Sequence, residues 1–315
     1  MNASPRRPSS LLRGGLVLAA LAASAAAFAH PSPADAQQAP APTYAVRFQR
    51  RAVVGQRARV VVEGEKRQTM RVEVSGRPPV NRDERLRVQL RAVERITAVN
   101  AAGRQVGSEL TIERFVSDDA GGEHALLRPG QVLSVVRGER GAEPRVTVGG
   151  RPVERPVRDA LAVVMSLSIS ETNDDDVFGT AQRQPVGASW PINSAVAQAD
   201  LEREAHVTSR LTGQARINAL ATVQRQPCLD ITVEMSGTVT AMQNLPPRAS
   251  VRSGTMRMTM RGMLPVSPTA VTPQQSMEMN VEMVVDLPPN AAGDHNQIQI
   301  TVHETKSGTV TPLGR

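Results

Sequence analysis

The sequence predicts a mainly β protein, built from antiparallel curved sheets or half-barrels, with one clear amphipathic helix. Apolar and polar residues alternate with a period of two in many short segments, which is typical of strands with one buried and one solvated face. The pattern is clearest over residues 251–302, where we predict three antiparallel strands. Methionine takes the inward-facing positions that valine and isoleucine usually occupy in strands: Met256, Met258, Met260, Met277, Met279 and Met283.

Residues 1–36 are predicted to form a secretory signal peptide. Three arginines precede an apolar, alanine-rich run over residues 16–27, and small-residue cleavage patterns follow it. The run is shorter than the roughly 20 apolar residues that span a bilayer, which disfavours the alternative of a retained membrane anchor. We expect the mature chain to begin at Gln37 with a flexible lead-in over 37–43. It should be periplasmic or secreted and carry no transmembrane segment.

Charge and aromatic content argue against a nucleic-acid partner. The formal net charge is +7, but the arginines are dispersed along strands beside glutamate and glutamine instead of forming one patch. Only two basic residues, Lys66 and Lys306, are lysines. Aromatic residues make up 2% of the chain, so surfaces on which bases could stack are scarce. We therefore expect no nucleic-acid binding.

The chain contains one cysteine, Cys228, so no disulfide can form within it. The alternation from Leu229 to Met235 places the Cys228 side chain on the opposite face from that apolar row. An inert thiol covered by a neighbouring element is the favoured interpretation. A reactive thiol, or a disulfide that joins two copies of the chain, is the alternative.

The first half, residues 44–170, is predicted to be a β-rich unit that contains the helix. Leu133 and Val135 should face Val146 and Val148 in a hairpin, across a connection bracketed by glycines at 138 and 141. The preceding strands are predicted over residues 44–50, 58–63, 70–74, 86–99 and 110–115.

The helix is predicted over residues 157–168. Pro156 suits the first helical position, and Asp159 would stabilise the first turn through the helix dipole. Residues at helical spacing should lay one apolar stripe on a sheet face: Val157, Ala160, Leu161, Val164 and Ser168, with Met165 alongside.

The second half, residues 171–315, is predicted to be another β-rich unit that contains the methionine-rich strands. Its acidic start, residues 171–176, should be a loop. Calcium binding by residues 173–176 is the alternative to a solvated loop there, but the ligand spacing of an EF-hand loop is missing. Residues 194–204 fit either a short helix or a loop. We expect the two halves to pack together as two curved sheets or half-barrels, and the sequence leaves open whether they are separate domains.

One register of the methionine-rich strands can be stated as a hypothesis. If Met258 lies opposite Val281, then Arg257 faces Glu282 across the outer surface of the sheet. Cross-strand charge pairs of this kind contribute about 0.2–1 kcal/mol each. The register is therefore favoured by charge as well as by alternation.

Three short motifs follow one another in the second half: Val186 to Trp190 (VGASW), a glycine-led strand from Gly213 to Ile217 that leads to Cys228-Leu229, and Ser253 to Met256 (SGTM). Their order over residues 177–302 resembles uncharacterised secreted bacterial β-rich proteins, for which no activity is assigned. The combination of a signal peptide, antiparallel strands and one or two helices is also similar to periplasmic lipid and lipoprotein carriers of the LolA and LppX type. That second resemblance implies a half-barrel that holds acyl chains in an apolar hollow capped by helices.

The six methionines are the candidate ligand-binding residues. Their side chains could simply fill the core, form a pliable pocket for a lipid, or bind Cu(I) through their thioether sulfurs. We expect a non-catalytic envelope protein that binds a lipid or another apolar ligand in a methionine-lined concave sheet. The alternatives are a structural or protein-interaction module with a closed core and a copper-binding protein. The corresponding partners are a lipid or lipoprotein acyl chain, or another envelope protein.

The sequence predicts neither an enzyme nor a cofactor. Histidines are few, and no pair of them has the spacing of metal ligands. The nucleophile elbow, the phosphate-binding glycine loop and the Cys-x-x-Cys motif are all absent. We therefore assign no catalytic residue and no metal ligand.

Overall fold

The computed structural model describes residues 41–139, 142–170, 172–243, 245–289 and 296–314. The predicted signal peptide, residues 37–40 of the lead-in, the glycine at 141 and the histidines at 30 and 295 lie outside the described residues. The residues from Ala41 onward form one compact unit. The predicted class is confirmed, since this unit is mainly β and its main sheet is antiparallel.

Seventeen strands and three helices form the described part of the chain. In chain order the strands are β1 (Thr43–Tyr44), β2 (Arg57–Glu73), β3 (Val80–Val99), β4 (Gln105–Asp119), β5 (Gly122–Leu127), β6 (Val132–Val136), β7 (Gly138–Glu139), β8 (Arg145–Val148), β9 (Arg151–Pro152), β10 (Ser168–Ile169), β11 (Gln184–Pro185), β12 (Ser189–Pro191), β13 (Val207–Val223), β14 (Gln226–Met242), β15 (Ser250–Pro265), β16 (Gln274–Leu287) and β17 (Asn296–Pro312). The helices are α1 (Arg155–Val164), α2 (Asp174–Phe178) and α3 (Ser194–Ala205).

Both halves of the chain contribute to one thirteen-stranded sheet instead of two packed sheets. Its order is β12-β13-β14-β15-β16-β17-β2-β3-β4-β6-β8-β9, with β5 added on β4. The pairing of β17 with β2, from Pro312↔Ala58 to Gln297↔Glu73, joins the halves over the full length of both strands. The sheet is not closed, because β12 and β9 at its two ends do not pair with each other.

The sheet is strongly curled. Leu110 on β4 and Ile231 on β14 line the same cavity of about 400 Å³, although these strands lie six positions apart in the sheet order. In a flat sheet six steps would separate them by about 29 Å, at roughly 4.8 Å per step. The inner face is therefore concave, as the half-barrel prediction requires.

The register hypothesis for the methionine-rich strands is wrong by two residues. Met258 lies opposite Met279, and Arg257 faces Asn280 instead of Glu282. A shift of two residues keeps every side chain on the same face, so alternation alone cannot distinguish the two registers. The eight-residue connection between β15 and β16 permits either pairing.

The first helix begins and ends earlier than predicted. It runs from Arg155 to Val164, Met165 after it is extended, and Ser168 belongs to β10, which pairs in parallel with β7. Asp159 consequently lies outside the first turn and forms an i,i+4 ion pair with Arg155 at 3.3 Å. Four residues of the predicted stripe, Val157, Ala160, Leu161 and Val164, are nevertheless buried on α1.

The acidic segment contains a helix where a loop was predicted. Asn173 caps α2 by accepting a hydrogen bond from the Asp175 backbone N–H at 2.9 Å, and aspartates occupy the first turn, where the helix dipole favours them. Residues 194–204, which fitted a helix or a loop, lie in α3. Within the described part of the chain, no helix combines the length and apolar character needed to cross a membrane.

The predicted hairpin is confirmed, with Leu133 opposite Val148 and Val135 opposite Val146.

Three clusters of buried apolar side chains stabilise the fold. The α1 cluster joins α1 to the first-half strands and contains Val60, Val88, Leu90, Leu110, Ile112, Phe115, Leu133, Val135 and Leu161. The Trp190 cluster contains Val46, Trp190, Ile192, Ala215, Ile217, Leu229, Ile231, Val233 and Leu264. The α3 cluster contains Val177, Ala197, Leu211, Val239, Met256, Met283 and Val285.

Candidate functional site

The candidate site is the cavity of about 400 Å³ on the concave face of the sheet. One wall comes from the α1 cluster, through Val60, Leu90 and Leu110, and the opposite wall comes from the Trp190 cluster, through Ile231, Val233 and Leu264. The cavity thus lies between two separate cores of one sheet. Its volume falls within the roughly 300–1,000 Å³ typical of small-molecule sites.

Helix α1 closes one side of the cavity because a glycine lets it approach the sheet. A Cβ atom on Gly64 would lie 2.8 Å from both Cγ1 and the carbonyl oxygen of Val163, so only glycine fits beneath the helix. The following residues, Val164 to Ser166, line the cavity. Arg137 holds this segment in place by donating from Nε to the Ser166 carbonyl oxygen at 3.1 Å.

Helix α2 and the segment after β1 close another side. The Asp175 carboxylate accepts a hydrogen bond from the Phe48 backbone N–H at 2.6 Å, and the rings of Phe48 and Phe178 pack with centroids 5.7 Å apart. Trp190 donates from its indole N–H to the Phe178 carbonyl oxygen at 2.9 Å. Phe48 and Phe178 both line the cavity, so these contacts fix its aromatic end.

Two charged residues of the first half face the cavity together: Glu94 on β3 and Arg137 between β6 and β7. Glu94 accepts a hydrogen bond from the Gln105 side chain at 2.6 Å, and Arg137 donates from a terminal nitrogen to the Gln105 carbonyl oxygen at 3.4 Å. Burial lowers the pKa of the Arg137 guanidinium, while the nearby Glu94 charge raises it. Both groups are engaged with the protein, which gives them a structural role in the wall.

Lys306 on β17 is different, because its side chain lines the cavity with no hydrogen bond or ion pair to any described residue. Burial lowers the pKa of its ammonium group, and the Glu304 charge partly offsets that effect. An ammonium group that gives up water without gaining a partner is costly. Arg261 also lines the cavity without such a partner among the described residues, but it is exposed, whereas Lys306 is half-buried. Lys306 is therefore the half-buried cation of the cavity with unused capacity to bind an anion.

The six methionines predicted to bind ligand all lie on the inner face but divide among three environments. Met260 and Met277 line the cavity, and they are directly opposite each other on β15 and β16. Met256 and Met283 are buried in the α3 cluster. Met258 and Met279, also directly opposite, lie half-buried between these two regions and are not among the residues that line the cavity.

Sequence reasoning missed Lys306 and Arg137 as site residues. A signal for Lys306 was present, because the inward positions of β17 continue with period two beyond Val302 to Glu304 and Lys306. The predicted strand ends at Val302, the last residue of its uninterrupted inward apolar row. A signal for Arg137 was present as well, because the inward positions of β6, Leu133 and Val135, continue with period two to Arg137.

Among the described residues, no group of three or more histidine, cysteine, aspartate or glutamate side chains is placed to hold a metal ion. No known family model matches the chain, and no curated protein is similar enough to count as a relative. The cavity itself is therefore the feature of this chain that bears on function.

Proposed function

We propose that the protein is a non-catalytic carrier that binds one apolar molecule, such as a lipid or an acyl chain, in the cavity on its concave sheet. The observation that carries this proposal is an apolar space of about 400 Å³ between two packed cores. The signal peptide predicted from residues 1–36 supports a periplasmic or secreted location for this carrier.

The size of the space argues against a sheet that serves only as a packed scaffold. The space is open to solvent on one side, so water enters it when no ligand is bound, and the apolar part of its wall gives such water few hydrogen bonds. An apolar ligand would fill the space and join the two cores.

The walls suit a ligand with an acyl chain. Aliphatic side chains from both cores provide surface without polar groups, as in Leu90 and Ile231. Met260 and Met277 add unbranched, polarizable side chains, which adapt to ligands of varied shape. A flexible hydrocarbon chain would bury its surface here at roughly 25 cal/mol per Å².

Gly262 offers a way to fill the cavity without disturbing its walls. Its position on β15 faces inward and lines the cavity, and a Cβ atom there would meet only Leu264 Cδ2 at 3.6 Å and the Gln274 carbonyl oxygen at 4.0 Å. Gly262→Phe should therefore fold and place its ring in the cavity. Gly262→Ala is the matched control, because it adds the Cβ atom but leaves the space open.

The test is native mass spectrometry of the mature protein, purified without detergent and then offered dodecanoate and dodecanol. Wild type and Gly262→Ala should carry an organic-extractable adduct or take up one of these probes, and Gly262→Phe should do neither while unfolding cooperatively. A bare mass for wild type, even with the probes present, would contradict the proposal. That outcome would favour a structural or protein-interaction module.

A further inference from the structure

The two lysines of the chain are neighbours on the inner face of the sheet. The other 35 of its 37 lysine and arginine residues are arginines. Lys66 on β2 lies directly opposite Glu304 on β17, and Lys306 is two residues further along β17 on the same face. Directly opposite side chains have Cβ atoms about 4.5–5.5 Å apart, and diagonal neighbours lie within reach of long side chains. We call these three residues the inner charged group.

The inner charged group carries one unit of net positive charge when all three side chains are ionised. Glu304 is the only acid among its members, and neither lysine forms an ion pair within 4 Å with a described residue. Their neighbours in the same cross-strand rows are uncharged: Met279 and Met277 on β16, and Leu86 and Val88 on β3. No neighbouring acid in these rows neutralises the excess charge.

The group also marks the place where the concave face meets solvent. Along the inward positions of β2, Gly64 is buried beneath α1 and Lys66 is exposed. Lys306, directly opposite Gly64, is half-buried and lines the cavity. The remaining charged residues that line the cavity are Glu94, Arg137, Asp174 and Arg261. Of these, Glu94 and Arg137 are held by Gln105, as described above.

We propose that the bound molecule is an anionic amphiphile, whose hydrocarbon chain fills the cavity and whose carboxylate or phosphate head binds Lys306, with Lys66 as the second cation. This inference rests on the proposed function and adds the chemical class of the ligand. The head group would supply the counter-charge that Lys306 lacks in the protein, and it would remain at the solvent edge while the chain is buried. An uncharged amphiphile would leave Lys306 unpaired.

The first test compares the affinity of dodecanoate with that of dodecanol, its uncharged counterpart. Wild type should bind the anion more tightly by a factor on the order of 10 to 100, the range for one hydrogen bond to a charged group. Lys306→Met should reduce this ratio to near one while it still binds dodecanol, and Lys306→Arg should preserve the preference for the anion. Dodecyl phosphate is titrated in parallel to distinguish a phosphate head from a carboxylate head. Whichever of dodecyl phosphate and dodecanoate binds more tightly identifies the head group that the site prefers.

The second test uses the scarcity of lysine. Amine acylation read by peptide mass spectrometry can report only Lys66, Lys306 and the N-terminal amine of the chain. Dodecanoate should slow acylation of Lys306 strongly and leave the N-terminal amine unaffected. In Gly262→Phe, where the chain cannot enter, dodecanoate should protect neither lysine.

Equal binding of dodecanoate and dodecanol, unchanged by Lys306→Met, would overturn this inference and leave the proposed function intact. Failure of wild type to bind either probe would overturn both. Protection of Lys306 that persists in Gly262→Phe would also overturn the inference, because the anion would then bind without its chain in the cavity.

Discussion

Adding one methyl group to Gly64 tests whether α1 rests on the sheet as closely as the structure has it. In Gly64→Ala the new Cβ atom would lie 2.8 Å from Cγ1 and 2.8 Å from the carbonyl oxygen of Val163. Carbon atoms in good contact are about 3.5–4.0 Å apart, so the helix must move by roughly 1 Å. The Val163 side chain could rotate away, but its carbonyl oxygen is fixed in α1, which leaves displacement of the helix as the only relief.

The expected cost is that of overpacking a tight core, about 1–3 kcal/mol of unfolding free energy. Urea denaturation followed by circular dichroism measures it, with Gly262→Ala as the control on the same concave face. Gly262 has room for a Cβ atom and an ordinary backbone conformation. The free energy of unfolding of Gly262→Ala should therefore equal that of wild type or exceed it by up to about 1 kcal/mol. Equal stability of Gly64→Ala and Gly262→Ala would refute the seating of α1 on β2, and with it the closure of the cavity by residues 164–166.

Two further predictions follow from burial and charge. Cys228 is completely buried, so its thiol should react with a maleimide only after global unfolding, and rapid labelling of the native protein would show that the strand end opens. The bidentate hydrogen bonds from Arg85, at 2.9 and 3.0 Å, hold the pKa of Glu65 below its ordinary value. The resulting stabilisation is present above the pKa of Glu65 in the unfolded chain and is lost as the pH falls through its pKa in the folded protein. The urea midpoint of wild type should therefore fall more than that of Glu65→Gln between roughly pH 5 and pH 3. Parallel midpoints would show that this exposed pair contributes nothing.

The fold class could be predicted because the sheet has one wet and one dry face over most of its length. Strand lengths could not be predicted where charged residues point inward. The strand β2 was expected as two segments, over 58–63 and 70–74, because Lys66 and Gln68 occupy inward positions between the apolar rows. Pairing with β3 on one side and β17 on the other keeps this polar stretch extended.

The candidate site was predicted in part. The alternation correctly assigns Met260 and Met277 to the inner face, but it carries no information about which rows are filled by helices and which remain open. That depends on where α1, α2 and α3 lie, and therefore on contacts far apart in sequence. Met256 and Met283, for example, are buried in the cluster that includes Ala197 of α3.

The central claim is that an acyl chain occupies the cavity beside the Trp190 cluster, and quenching of Trp190 fluorescence by a brominated fatty acid tests it most directly. Trp190 is the only tryptophan of the chain. Its indole N–H donates a hydrogen bond to the carbonyl oxygen of Phe178, a residue that lines the cavity. We predict saturable quenching at one equivalent per chain in wild type and in Gly262→Ala, and none in Gly262→Phe. No quenching in wild type, or equal quenching in wild type and Gly262→Phe, would contradict the account.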